Sequence, residues 1–256
     1  MRTFDKQYRN LLWEITICQF KLKDQSTFLG LFWSLLNPLL ILLVLLVFFS
    51  LNAGAGVPHY GIYLLMGVVQ YTHFSNSTSG AMTSLSSMRH LTCDSVLPKE
   101  VLVIGAVLST TIEFVISMSF GVVIAYFAGV RITWIAGLIP LVIVLQMLTV
   151  LWISFLLACL HVFVRDVGHI YQVFLRILFF VTPIFYTPRY LGKGAASYVV
   201  YLNPLAHLIG FSRTLLMDGT LVPLKVLGIF GTVNLLAVGI TFAIFKRYEE
   251  RFAELV

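Results

Sequence analysis

The sequence predicts an all-α membrane protein with six transmembrane helices, an N-terminal amphipathic interface helix and short re-entrant outer helices between spans five and six. Apolar residues make up 59% of the chain and charged residues 11%, whereas soluble domains hold about half and a quarter. The mean hydropathy is +0.94. Apolar windows of the roughly 20 residues that a hydrocarbon core demands of a helix recur along the chain. No repeat, linker or composition shift divides it, so residues 1–256 are expected to form a single transmembrane domain.

The first element is expected over residues 4–24. Phe4, Tyr8, Leu11, Ile15, Cys18 and Leu22 recur at steps of four and three, while Lys6, Arg9, Glu14, Gln19, Lys21 and Lys23 occupy the rest of the helix. That pattern suits a helix lying on the membrane surface, either as an anchor or as a docking face for a partner. The opening MRTFDKQYRN has no apolar signal-peptide core, so the first span is expected to direct insertion.

Spans are expected near residues 29–51, 62–83, 101–127, 133–160, 167–187 and 223–245. With both termini cytoplasmic, the inner segments carry Arg2, Lys6, Arg9, Lys21, Lys23, Arg89, Lys99, Arg165, Lys246, Arg247 and Arg251. The outer segments keep only Arg131, Arg189, Lys193, Arg213 and Lys225, the asymmetry of the positive-inside rule. Between spans two and three, residues 84–99 (SLSSMRHLTCDSVLPK) are too polar for lipid and end near Pro98. They predict a short exposed helix, either a connector or a partner-binding knob. Residues 183–222, apolar but interrupted, predict short helices on the outer face.

The chemistry is sparse. A net charge of +6 is spread between loops and forms no basic stripe, so no nucleic-acid partner is predicted. Cys18, Cys93 and Cys159 are far apart, lack a CxxC pairing and are read as reduced thiols. The phosphate-cradling GxxxxGK[ST] pattern is absent, so any ATP must bind another chain. His161, Arg165 and His169 share one face with Asp166 nearby if the helix continues. The central arginine repels a cation, so neither a catalytic residue nor a metal site is predicted.

Charges inside spans are costly and therefore informative. Glu113 and Arg176 are expected at roughly 18 and 14 Å from the cytoplasmic ends of their spans, level enough to pair if spans three and five adjoin. Alternatively one of them faces a polar conduit, with Gln146 and the patch His73, Ser75, Asn76, Ser77, Thr78 and Ser79. That patch equally suits helix–helix hydrogen bonding. Tyr186, Tyr190, Tyr198 and Tyr201 cluster near the expected outer face, as interfacial anchors or as platforms for sugar rings.

An ordered set of motifs runs through these elements: LGLFWSLLNP at the start of span one, with Leu29, Gly30, Trp33 and Pro38; VFVRD at the end of span four; TPIFY at the end of span five; and Asn203-Pro204 beyond it. Together they resemble the membrane permeases of ABC-type polysaccharide exporters, the group that includes O-antigen and wall teichoic acid export permeases. The resemblance runs over essentially the whole chain. It implies a permease domain in the bacterial cytoplasmic (inner) membrane, paired with a second copy of itself. Two ATPase subunits would hold ATP and Mg below, and a lipid-linked glycan would be moved outward among the membrane lipid.

By the same resemblance, Tyr8 and Leu11 on the N-terminal helix, Arg89, His90 and Leu91 on a coupling helix, and Arg165 with Asp166 would meet the ATPase. Residues 183–222 would form the gate, where Tyr186, Tyr190, Tyr198 and Tyr201 would meet sugar. A drug or lipid permease of the same superfamily is the alternative within transport. A membrane-embedded lipid- or glycan-modifying enzyme is the alternative outside it.

Overall fold

The computed structural model describes residues 2–24, 32–49, 57–93, 97–187 and 195–255, and among them every regular element is helical. In chain order they are α1 (Arg2–Asp24), α2 (Phe32–Phe49), α3 (Tyr60–Ser87), α4 (Arg89–Thr92) and α5 (Glu100–Phe127). A 3-10 turn (Trp134–Leu138) leads into α6 (Ile139–Phe163), followed by α7 (Val167–Val181), α8 (Ala195–Leu202) and α9 (Pro204–Arg213). One wide turn (Thr214–Asp218) then precedes α10 (Leu224–Leu255).

Each expected apolar window falls on a helix, but the helices differ in reach. Glu100–Phe127, Trp134–Phe163 and Leu224–Phe252 are long and apolar enough to cross a membrane. The helix in the 167–187 window is shorter than expected. α7 ends at Val181 because Pro183 lacks an amide hydrogen and forces the preceding Thr182 into extended backbone (φ −75°, ψ 134°).

α3 is the central post, touching α2, α5, α6, α7 and α9. It is less apolar than the three crossing helices and yet buried along nearly its whole length, from Tyr60 to Leu85. Ser77, Thr78 and Ser79 face other helices. Thr110 Oγ1 of α5 donates to Ser77 Oγ (2.7 Å), Tyr171 of α7 donates to Thr78 Oγ1 (2.6 Å) and Gln172 donates to Ser79 Oγ (3.2 Å). Of the two roles open to the polar patch, these residues perform helix–helix bonding, the natural glue where apolar surface offers no preference between helix and lipid.

α1 lies across α5. Ile15 is buried and Tyr8, Leu11 and Leu12 pack on the core, while Cys18 and Leu22, expected on the same stripe, are exposed. The packed face is set instead by Gln19, whose Nε2 donates to the Leu102 carbonyl (3.1 Å), and by Gly105 of α5. A Cβ at Gly105 would stand 2.9 Å from Ile15 Cγ2. Gly105→Leu is therefore expected to push α1 off the bundle at the cost of overpacking, about 1–3 kcal/mol. The checks are a lowered thermal midpoint and faster protease cleavage within α1; an unchanged cleavage rate would contradict this packing.

Candidate functional site

The residues expected to meet a partner gather at one end of the bundle. Lys246 Nζ binds Glu100 Oε2 (2.7 Å) and Glu249 Oε2 (2.8 Å), and the Lys99 amide donates to Glu249 Oε1 (2.8 Å), joining the start of α5 to the end of α10. Burial, with the Glu100 carboxylate nearby, raises the Tyr8 phenol above its ordinary range, which places α1 at this cluster. Gln19 also reaches Met88 Sδ (3.5 Å), bringing α4 alongside. Phe163 at the end of α6 packs edge-on to Tyr248 and Phe252.

Arg89, His90 and Leu91 on α4 and Arg165 and Asp166 after α6 are all exposed at this end. Tyr8 and Leu11 are half-buried, so α1 offers Lys6, Arg9, Trp13 and Glu14 to the outside. Residues 94–96 of the expected knob lie outside the described residues. The helical face imagined for His161, Arg165 and His169 does not form, because Val164 is extended (φ −136°, ψ 102°) and breaks the helix between them. The His161 ring instead packs where a Gly168 Cβ would stand, 3.3 Å away, at the corner between α6 and α7.

In the middle of the bundle, Glu113 and Arg176 are not brought together. α3 stands between their helices. Glu113 is buried and lines a recess with Val69, Thr72, His73 and Asn76 on one face of α3, whereas Arg176 is exposed beside Tyr71 and Ser75 on another. The expected pairing fails because depth along a helix says nothing about which helix is the neighbour. Gln146 acts at the same level. Its Nε2 donates to the Gln70 carbonyl (2.9 Å) and lies 3.0 Å from His73 Nδ1, so that nitrogen accepts and His73 carries its proton on Nε2, 3.4 Å from Thr111 Oγ1.

At the opposite end the motif TPIFY becomes a strap, and its carbonyls are taken up by side chains. Arg213, buried at the end of α9, donates from Nε and Nη2 to the Tyr63 carbonyl (3.1 and 2.9 Å), from Nη1 to Pro183 (2.7 Å) and from Nη2 to Ile184 (2.8 Å). Its guanidinium carbon lies 3.3 Å from the Tyr63 ring centroid. Tyr60 donates to the Phe185 carbonyl (2.6 Å) and Tyr63 to that of Tyr186 (2.9 Å).

Asn203 ties the second motif to the first. Its Nδ2 donates to Thr182 Oγ1 (2.9 Å), and its Oδ1 caps α9 by accepting from the Leu205 amide (3.0 Å), with Pro204 in the first turn. Gly67 makes room, since a Cβ there would stand 2.9 Å from Arg213 Nη2 and 3.2 Å from the Ile184 Cα.

Among the tyrosines expected at this end, Tyr198 and Tyr201 are exposed on α8. Tyr186 is half-buried, and its hydroxyl donates to the Val181 carbonyl (2.5 Å). Tyr190 lies outside the described residues. Sequence reasoning placed Arg213 among exterior loop charges and missed its role. The available signal was an arginine closing the otherwise apolar run PLAHLIGFSR.

A sequence profile of the ABC-2 type transporter family matches residues 10–217. The chain is 28% identical over 251 residues to the O-antigen export system permease protein RfbA of Myxococcus xanthus, covering 98% of this chain and 96% of the relative. It is 26% identical over 249 residues to the protein of the same name in Klebsiella pneumoniae, covering 96% and 95%. It is 25% identical over 237 residues to the polysialic acid transport protein KpsM of Escherichia coli, covering 87% of each.

Arg213→Met is expected to leave the Pro183 and Ile184 carbonyls buried without donors, at about 1–3 kcal/mol for each. Arg213→Lys is expected to rescue little, because a single ammonium cannot reproduce the planar fork. A cysteine placed at Ile184, buried in the wild type, should become reactive to a maleimide in both variants; continued protection would show that the strap holds without the clamp.

Proposed function

The chain belongs to the ABC-2 type transporter family, and from that membership we propose that it is the transmembrane subunit of an ABC exporter of polysaccharide. The observation that carries this reading is the near end-to-end correspondence with O-antigen export permeases. A likeness confined to one motif would speak only for a fold. The reading takes the substrate to be a lipid-linked surface glycan. It takes the working unit to be two copies of this chain with two ATPase subunits, which hold the ATP and Mg.

The geometry supports this division of labour. In the proposed orientation the chain crosses the bacterial inner membrane six times. The end bearing α1, α4 and the α6–α7 corner faces the cytoplasm, with both termini on that side. Arg89, His90, Leu91, Arg165 and Asp166 form the exposed coupling surface, and α1 contributes beside them. Closure of the ATPase pair pushes on this surface, and α5, α6 and α10 pass the movement along the bundle as rigid rods. The strap, α8 and α9 then gate the other end, with Tyr198 and Tyr201 as weak stacking platforms. Weak contacts suit a conduit, because a site that grips a polymer cannot release it.

Deleting the gene is expected to strip glycan from the cell surface and to accumulate its lipid-linked form inside. Restoration by the wild-type chain completes the check, and normal surface glycan in the deletion strain would refute the reading. Arg89→Glu combined with Leu91→Asp is expected to leave the complex assembled and hydrolysing ATP while export falls to background. Normal export in that variant would remove α4 from the coupling surface.

A further inference from the structure

Between α2, α3 and α5 the bundle leaves a recess of about 230 Å³. Glu113 lines it, together with Asn37 of α2, His73 and Asn76 of α3, and the rings of Trp33 and Phe114. Trp33, Asn37 and Asn76 are exposed, so the recess opens on the outside of the subunit, while Glu113 and His73 form its buried floor.

Its walls are fixed in advance. Phe114 stacks on His73 at 4.3 Å, with their planes 12° apart. Gln146 of α6 holds the same imidazole from behind, so that the neutral tautomer with its proton on Nε2 is built in. No hydrogen bond among the described residues uses the Asn37 or Asn76 carboxamide. Polar groups at membrane depth are costly unless something polar meets them, and their convergence on one recess with aromatic walls is the ordinary mark of a binding site.

The lining also says what the occupant is. It contains an acidic side chain and no lysine or arginine, so it offers no cation to a phosphate, including the phosphate of any lipid carrier. The carboxylate and the amide oxygens accept hydrogen bonds from hydroxyl groups, and the amide nitrogens donate to them. An indole face offers stacking to a ring with an apolar side. The volume is that of about eight waters at roughly 30 Å³ each, comparable to one pyranose with its hydroxyls.

We propose that this recess holds one neutral sugar unit of the glycan in transit, with its hydroxyls on Glu113, Asn37 and Asn76 and its ring against Trp33. The inference rests on the exporter reading above and adds a side pocket to it. Each subunit holds the polymer at mid-bundle, away from the tyrosines at the far end, and lets go when α2 moves relative to α3.

The test uses cells that make their own glycan and carry the complete exporter, with the photoreactive amino acid p-azidophenylalanine in place of Asn37. A control chain carries it in place of Val233, which is 59% exposed on α10. After illumination, the permease band from the Asn37 chain is expected to stain for carbohydrate and the control band is not. An adduct with phospholipid alone, or no adduct, overturns the proposal and leaves a hydrated recess.

Glu113→Gln and Asn76→Ala keep the proposal falsifiable should the photoreactive chain fail to assemble. At unchanged membrane levels, Glu113→Gln is expected to cut export by about tenfold, the change carried by one charge-assisted hydrogen bond, and Asn76→Ala by less. Wild-type export in both overturns the recess while leaving the exporter reading intact. Surface glycan that survives deletion of the gene overturns the exporter reading itself.

Discussion

A guanidinium buried among apolar helices has five N–H donors and no water to receive them. Arg213 meets that constraint by taking carbonyls from two places in the chain that would otherwise part company, Tyr63 near the start of α3 and Pro183 with Ile184 beyond α7. The arrangement works in both directions. Pro183 ends α7 and leaves a run of irregular backbone whose carbonyls need donors, and such backbone is tolerated inside a membrane protein only where the protein itself supplies them. Tyr60, Tyr63 and Arg213 supply them between residues 183 and 186. The clamp is thus one side chain that holds the strap, α9 and the central helix together.

α3 carries this anchoring through the bundle. One end of it holds the clamp, its middle receives α5 and α7 through hydroxyl groups, and its last turns lie beside the α6–α7 corner, where a Cβ added at Gly168 would stand 3.8 Å from Met82 Cε. The helix that contacts most of the others is thus the one whose middle turns bond to their neighbours through hydroxyl groups. The ion cluster of Glu100, Lys246 and Glu249 closes the other end by fastening α5 to α10. Two fastened ends and a central post hold the helices of the bundle to one another.

Much of this was legible in the sequence. Each apolar window marked a helix because lipid imposes composition directly, and the steps of four and three marked α1. What escaped was neighbourhood. Depth along two helices suggested that Glu113 meets Arg176, but the order of helices in space put α3 between them. Spacing put His161, Arg165 and His169 on one face, but Val164 left the helix. Arg213 read as a loop charge because its burial depends on a glycine and a proline far from it in the chain. The stripe on α1 was off by part of a turn, since Gly105 decides which side docks.

The brevity of α7 bears on the membrane itself. Its 15 residues cover roughly 22 Å, against a hydrocarbon layer of about 30 Å. A helix too short for its bilayer draws the two leaflets toward each other beside it. Lipid packed along the exposed side of α7 would meet there a helix shorter than its own hydrocarbon layer.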